Sequence, residues 1–213
     1  MAARKIPKSY RNVTGIVSSR KNHGEAQFES TLEQDFYVQL EFREDVVGFQ
    51  VQPVSIEFTD SNDRKRTYTP DVLVSYSDGR KTLYEVKYSS ELQEKKDELV
   101  PKFKAAITYS KNNGLFFRIA TEKKIRTTQW NNIQFLKGYA PSQVDTEYLQ
   151  LITSAIEKHD LTTPKSIVEH YAFDPTARGN LIYCIWQMLA KKTLKTDISI
   201  PLSMDSPLAL EGR

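Results

Sequence analysis

Apolar and polar positions alternate differently along the chain, and the changes of period outline its elements. Phe28, Leu32, Phe36 and Leu40 recur every four residues, which predicts a helix over 25–43 with one apolar stripe. VVGFQVQPVSIEF (46–58) reads as a strand interrupted by Pro53, and SNDRKR (61–66) as a polar turn. Strands are expected at about 68–76 and 80–88. Residues 91–114 read as a helix with a possible break at Pro101 and a stop at Gly114. LFFRIAT (115–121) is short and nearly all apolar, which suits a parallel strand buried on both faces in a central position. Helix, three strands, helix and strand together give an α/β layer around a mixed sheet.

Gly, Pro and Ser cluster in GYAPSQVD (138–145), which marks a boundary. Beyond it the pattern predicts a helix at about 145–158 and two more that start at Thr163-Pro164 and Asp174-Pro175, with proline at the first helical position. KTLKTDISI (192–200) alternates like a small hairpin, so a winged helix-turn-helix is expected. The expected division is a basic arm over 1–24, an α/β domain over 25–140, a winged helix over 141–202 and a tail over 203–213.

Composition narrows the class. The chain has 213 residues, 39% of them hydrophobic, enough for one core and a small second one. No apolar run approaches the roughly 20 residues that cross a bilayer, and MAARKIPKSYRNV has no apolar signal region. Cys184, the lone cysteine, excludes a disulfide within the chain, and a cytoplasmic protein is expected. Net charge is only +3, but Arg4, Lys5, Lys8, Arg11, Arg20 and Lys21 all precede Glu25, the first acid. Such an arm suits a polyanion such as DNA, or is simply a solvated terminus.

The candidate chemistry lies in YTPDVLVSYSDGRKTLYEVKY (68–88), where three charged side chains interrupt two apolar strands. A two-residue turn would set Asp71 opposite Val86. A three-residue turn, Ser77-Asp78-Gly79 with Gly79 left-handed, sets Asp71 opposite Glu85 and Leu73 opposite Leu83. The second register sorts Val72, Val74, Tyr76, Tyr84 and Val86 to one side and Asp71, Glu85 and Lys87 to the other, so the bulged turn is predicted. Two carboxylates so close repel unless a proton or cation lies between them. Paired hard oxygens with open water positions suit Mg²⁺, and a nearby amine can orient a water or steady developing charge. On the helical wheel Glu29 falls at about 60° and Glu33 at about 100°, inside an apolar arc from about −40° to 140°. At least one of them is expected to point into the site.

FESTLEQDF, QP, YTPDVLV and YEVKY together resemble the PD-(D/E)xK nuclease core, and more narrowly the TnsA endonuclease subunit of heteromeric cut-and-paste transposases. FFRIATEKKI and the C-terminal pattern extend the resemblance over most of the chain. It implies a restriction-endonuclease-like mixed α/β sheet flanked by helices, with a small C-terminal winged-helix domain. The family's active-site positions fall on Glu33, Asp71, Glu85 and Lys87, with Glu29 and Gln52 ranked second. Some members carry Gln where this chain has Glu85.

The expected function is Mg²⁺-dependent hydrolysis of the 5′, non-transferred strands at transposon ends. Asp71, Glu85 and the Val86 carbonyl would hold one ion and Glu33 a second, with Mn²⁺ as a substitute. The implied partners are transposon-end DNA, a TnsB-type DDE transposase and a TnsC-type ATPase regulator. The rivals are a stand-alone restriction or repair nuclease and a non-catalytic DNA-binding adaptor.

Taken singly, each residue has an ordinary explanation. Asp71 can cap a strand, and Glu85 and Lys87 can pair on a solvated face. His23, His159 and His170 have no ligand spacing. Tyr88, Lys102 and Lys104 could line a DNA groove, and Lys165, Arg178, Lys191, Lys192 and Lys195 could meet phosphates or a protein.

Overall fold

The computed structural model describes residues 13–22, 25–141 and 143–211. Arg4, Lys5, Lys8, Arg11 and His23 lie outside the described residues. The chain divides into two compact units between Arg126 and Thr127.

In the first unit, β1 (Gly15–Val17) pairs antiparallel with β2 (Ala26–Phe28), and α1 (Thr31–Phe42) follows. The expected helix over 25–43 is thus shorter. Residues 26–28 are a strand, and Ser30 caps the helix by accepting from Glu33 N–H. Glu29 therefore stands before the helix, and its place on a helical wheel has no meaning. Phe28 matched the four-residue spacing across a strand-to-helix junction by coincidence.

The described end of the basic arm is structural. Lys21 O accepts from Phe49 N–H at 2.8 Å, and the Lys21 ammonium meets the carbonyls of Leu40 and Arg43 at the end of α1. A cation there satisfies helix carbonyls that lack partners.

Next come β3 (Val46–Val51), β4 (Ile56–Thr59), β5 (Lys65–Tyr68), β6 (Val72–Tyr76) and β7 (Lys81–Val86). They are followed by α2 (Ser89–Glu94), α3 (Lys96–Asn112), β8 (Phe116–Ala120) and α4 (Glu122–Ile125). The main sheet has the order β3-β6-β7-β8, with β7 and β8 parallel and the other neighbours antiparallel. It is the expected mixed sheet flanked by helices.

Alternation along the strands sends Tyr84 and Phe49 to one face, where they meet Phe36 and Tyr37 of α1. Leu83 goes to the other face and packs with Ala106 of α3 and with Ile56 and Tyr68 of the β4–β5 hairpin. A fully buried side chain of the size of Leu83 or Phe49 contributes about 1.5–3 kcal/mol.

Two expectations change here. The helical stretch breaks at Lys95, and α3 runs through Pro101. β8 is parallel, but it lies at the sheet edge rather than the centre, and Phe116 is 53% exposed.

The second unit holds α5 (Thr128–Lys137), α6 (Thr146–His159), α7 (Pro164–Tyr171), α8 (Pro175–Ala190), β9 (Leu194–Lys195) and β10 (Ala209–Leu210). Asp145, Thr163 and Asp174 cap the last three helices, and proline opens α7 and α8 as the sequence suggests. Leu181, Ile185 and Met188 of α8 pack with Leu136, Ile152, Ile167 and Leu208.

Helix α5 therefore belongs to this unit, and the unit begins before the boundary expected near 140. The hairpin expected over 192–200 is also absent. β9 pairs instead with β10 from the expected tail, and Leu208 anchors that segment in the core.

Candidate active site

The turn between β6 and β7 has three residues, with Tyr76 N–H donating to Arg80 O and Gly79 at φ 82°. Glycine accepts that left-handed backbone without a steric penalty. The register pairs Leu73 with Leu83 and Val72 with Tyr84, and Asp71 N–H donates to Tyr84 O at 3.1 Å. Asp71 therefore sits opposite Glu85, as the bulged turn required. Across the other edge of β6, Gln52 N–H donates to Asp71 O at 2.8 Å. Gln52, Asp71 and Glu85 form one cross-strand row at the end of the sheet, and Lys87 follows two residues after Glu85 on the same side.

These four residues and Glu33 line one cavity of 270 Å³, with Glu29 and Tyr68 in its wall. Asp71 Oδ2 accepts from Val86 N–H at 2.6 Å. Glu85 is 4% exposed; its Oε2 accepts from the Tyr68 hydroxyl at 2.6 Å, and its Oε1 lies 3.1 Å from Lys87 Nζ. Lys87 Nζ is also 3.3 Å from the Val86 carbonyl and 3.9 Å from Asp71 Oδ2. The ammonium thus stands where two carboxylates and a main-chain carbonyl converge.

Burial, then the charge of Glu85, pushes the Asp71 carboxyl well above the usual range, while Lys87 opposes the rise. Burial alone would lower the Lys87 ammonium, but the charges of Asp71 and Glu85 outweigh it and hold it above its ordinary value. Burial and then Glu85 raise the Tyr68 phenol, so it stays a donor.

Glu33 reaches the cavity from α1, but it also closes the helix end. Its Oε2 accepts from Glu29 N–H at 2.9 Å, and its Oε1 accepts from the Ser30 hydroxyl at 2.9 Å. Burial raises its carboxyl above the usual range, against those two hydrogen bonds. Ser30–Glu33 carries the Ser-x-x-Glu pattern of a capping box, but the carboxylate accepts from Glu29 N–H and the Ser30 hydroxyl, not from Ser30 N–H; those bonds account for an acid on a buried face without a metal. Tyr68 was also legible only in part. Its buried ring fits alternation, but nothing local says that its hydroxyl meets an acid 17 residues later.

Other candidates take different places. Lys102 lines the cavity beside Lys95, each paired with the glutamate four residues before it, at 2.6 Å and 3.0 Å. The Tyr88 hydroxyl accepts from Arg126 at 3.2 Å and meets Thr31 at 3.3 Å. His159 and His170 stack on each other at 5.7 Å, and among the described residues neither belongs to a group that could hold a metal ion. Cys184 is buried, and burial raises its thiol.

Hard oxygen donors with an adjacent cation fit a small divalent ion. Among the described residues no three Asp, Glu, His or Cys side chains form a ready cage. A metal there needs the main-chain carbonyl and water as further ligands, which Mg²⁺ readily keeps.

Residues 43–122 match the family model described as "TnsA-like endonuclease N terminal", and residues 124–198 match "TnsA endonuclease C terminal". The junction falls close to the division between the two units. Asp71, Glu85 and Lys87 lie within the first match, whereas Glu33 precedes it. No curated protein matches the chain.

Proposed function

The chain belongs to the TnsA endonuclease family, a nuclease subunit of transposition complexes, and from that premise we propose that it hydrolyses DNA phosphodiesters at transposon ends in a Mg²⁺-dependent reaction. The strands cut are the 5′, non-transferred ones. The supporting observation is the convergence of Asp71, Glu85 and the Val86 carbonyl on a single positive charge, the Lys87 ammonium.

In this reading Asp71, Glu85 and the Val86 carbonyl would hold one Mg²⁺, and Glu33 would contribute to a second. When bound, the ions supply Lewis acidity toward the phosphate and lower the pKa of water. Tyr68 fixes one oxygen of Glu85 and leaves the other toward the cavity. The Val86 N–H pins one oxygen of Asp71 in the same way. Lys87 would orient the attacking water and steady negative charge developing on the phosphate.

The second unit, read as a winged helix of α6–α8 with the β9–β10 ribbon, serves DNA or protein docking. A TnsB-type DDE transposase cuts the other strand, and a TnsC-type ATPase regulates the assembly. Among the described residues no helix is long and apolar enough to cross a membrane, and the proposed place of action is DNA in the cytoplasm.

The test is a reconstituted reaction on strand-labelled transposon ends. Cleavage of the 5′ strand should require Mg²⁺ and disappear in Asp71→Asn, while cleavage of the 3′ strand persists. Unchanged 5′ cleavage in that variant overturns the reading, and cleavage without any partner supports the stand-alone nuclease instead.

A further inference from the structure

Gln52 ends β3 with φ at 45°, the left-handed region that a residue with a side chain adopts only under constraint. It is 8% exposed and lies opposite Asp71 in the row that continues to Glu85. Its side-chain amide is oriented by charge. Nε2 donates to Glu29 Oε1 at 3.3 Å, and the flipped amide would set two oxygens against each other. The other end of the amide, Oε1, is buried and has no hydrogen-bond partner among the described residues, and Gln52 lines the same cavity.

A buried, unpartnered acceptor is rare in a folded protein and calls for an occupant. Here it belongs to a residue with a strained backbone, in the same cross-strand row and the same cavity lining as Asp71 and Glu85, where hard oxygen donors already gather. Glu33, by contrast, has both oxygens engaged at the end of α1. We propose that Gln52 Oε1 is a neutral ligand of the divalent-cation site, completing a donor row of Gln52, Asp71 and Glu85. A neutral oxygen adds coordination without a further negative charge in a cavity where several acids already gather.

The inference rests on the metal-dependent reading given above. Its test is calorimetric titration of Mg²⁺ into the full chain without DNA. Gln52→Gly removes the ligand and accepts the left-handed backbone without strain, and thermal denaturation without metal checks that it folds. It is expected to bind Mg²⁺ about 10-fold more weakly or worse, given what even indirect metal partners cost. Gln52→Asn also tolerates the left-handed backbone and shortens the reach, and the same direction is expected. Gln52→Glu keeps the oxygen and should retain binding.

Wild-type affinity in Gln52→Gly and Gln52→Asn overturns the proposal. If Asp71→Asn alone loses Mg²⁺, the metal site stands and Gln52 is no part of it. If Asp71→Asn also binds normally, the metal-dependent reading itself fails.

Discussion

The Tyr68 hydroxyl donates to Glu85 Oε2 at 2.6 Å, and both side chains are buried. The bond fixes which oxygen of Glu85 faces the cavity, where Oε1 meets Lys87. Residues that hydrogen-bond a metal ligand typically carry about 10–100-fold in metal affinity or activity. Tyr68→Phe keeps the ring that packs with Ile56 and Leu83 and deletes the hydroxyl. It is expected to fold normally and lose Mg²⁺ affinity in that range, measured by titration calorimetry. Wild-type affinity in a folded Tyr68→Phe would show that the bond has no part in metal binding.

In the proposed reading a bound cation would compete with Lys87 for the same oxygens. Lys87→Ala is therefore expected to bind Mg²⁺ at least as tightly as wild type, yet to lose about 100-fold or more in 5′-strand cleavage, the usual cost of deleting a group that stabilises developing charge. Thermal denaturation with and without Mg²⁺ reads the first effect, because a ligand of the native state raises apparent stability. Weakened Mg²⁺ binding in this variant would mean that the ammonium supports the cation site instead of vacating it.

Glu33 has two candidate duties that substitution can separate. Glu33→Ala leaves the Ser30 cap in place but deletes the carboxylate that accepts from Glu29 N–H and the Ser30 hydroxyl, and should cost about 1–3 kcal/mol of stability, as losing a hydrogen-bonded charged group does. Glu33→Gln keeps an oxygen for the helix end but gives up the charge. Loss of cleavage in both variants, with stability lost mainly in Glu33→Ala, marks a role in the reaction. Full cleavage by Glu33→Gln would leave Glu33 a structural role at the helix end alone.

The acids of the cavity give the metal-free protein a definite pH response. Asp71 binds its proton more tightly folded than unfolded, because burial and Glu85 raise its carboxyl. Its stabilising contribution is fully present below the unfolded Asp value, about 3.9, and is lost as pH rises through the raised folded value. The stability of wild type relative to Asp71→Asn should therefore fall with rising pH above about 4 in EDTA, and saturating Mg²⁺ should flatten the slope. Urea unfolding at a series of pH values checks this. A pH-independent difference would show that Asp71 titrates normally in the fold.

Much of the site was legible because its constraints are local. Gly79 after Ser77-Asp78 fixes the turn, the turn fixes the register, and the register puts Asp71 opposite Glu85. The capped starts of α7 and α8 were equally clear, since Thr163-Pro164 and Asp174-Pro175 carry both the cap and the first-turn proline. Glu29 was misplaced because Phe28 continued a helical spacing that Ser30 in fact interrupts.

What stayed hidden depends on distant partners. β8 lies at the sheet edge, and strand order is not written in the apolar run of one strand. The break at Lys95 falls in ELQEKKDE, a run of good helix formers in which only packing decides. β9 pairs with residues 209–210, too short a match for alternation to reveal. Gln52 could be noticed beside Pro53, but its left-handed backbone and unpartnered oxygen belong to the folded row alone.

The central claim is that Asp71, Glu85 and the Val86 carbonyl share one divalent cation. Anomalous scattering from crystals soaked in Mn²⁺ tests it most directly. The expected result is a peak within ligand distance of all three groups, with Lys87 Nζ moved off Glu85 Oε1. A peak elsewhere, or none while Lys87 keeps its place between the carboxylates, would contradict the account.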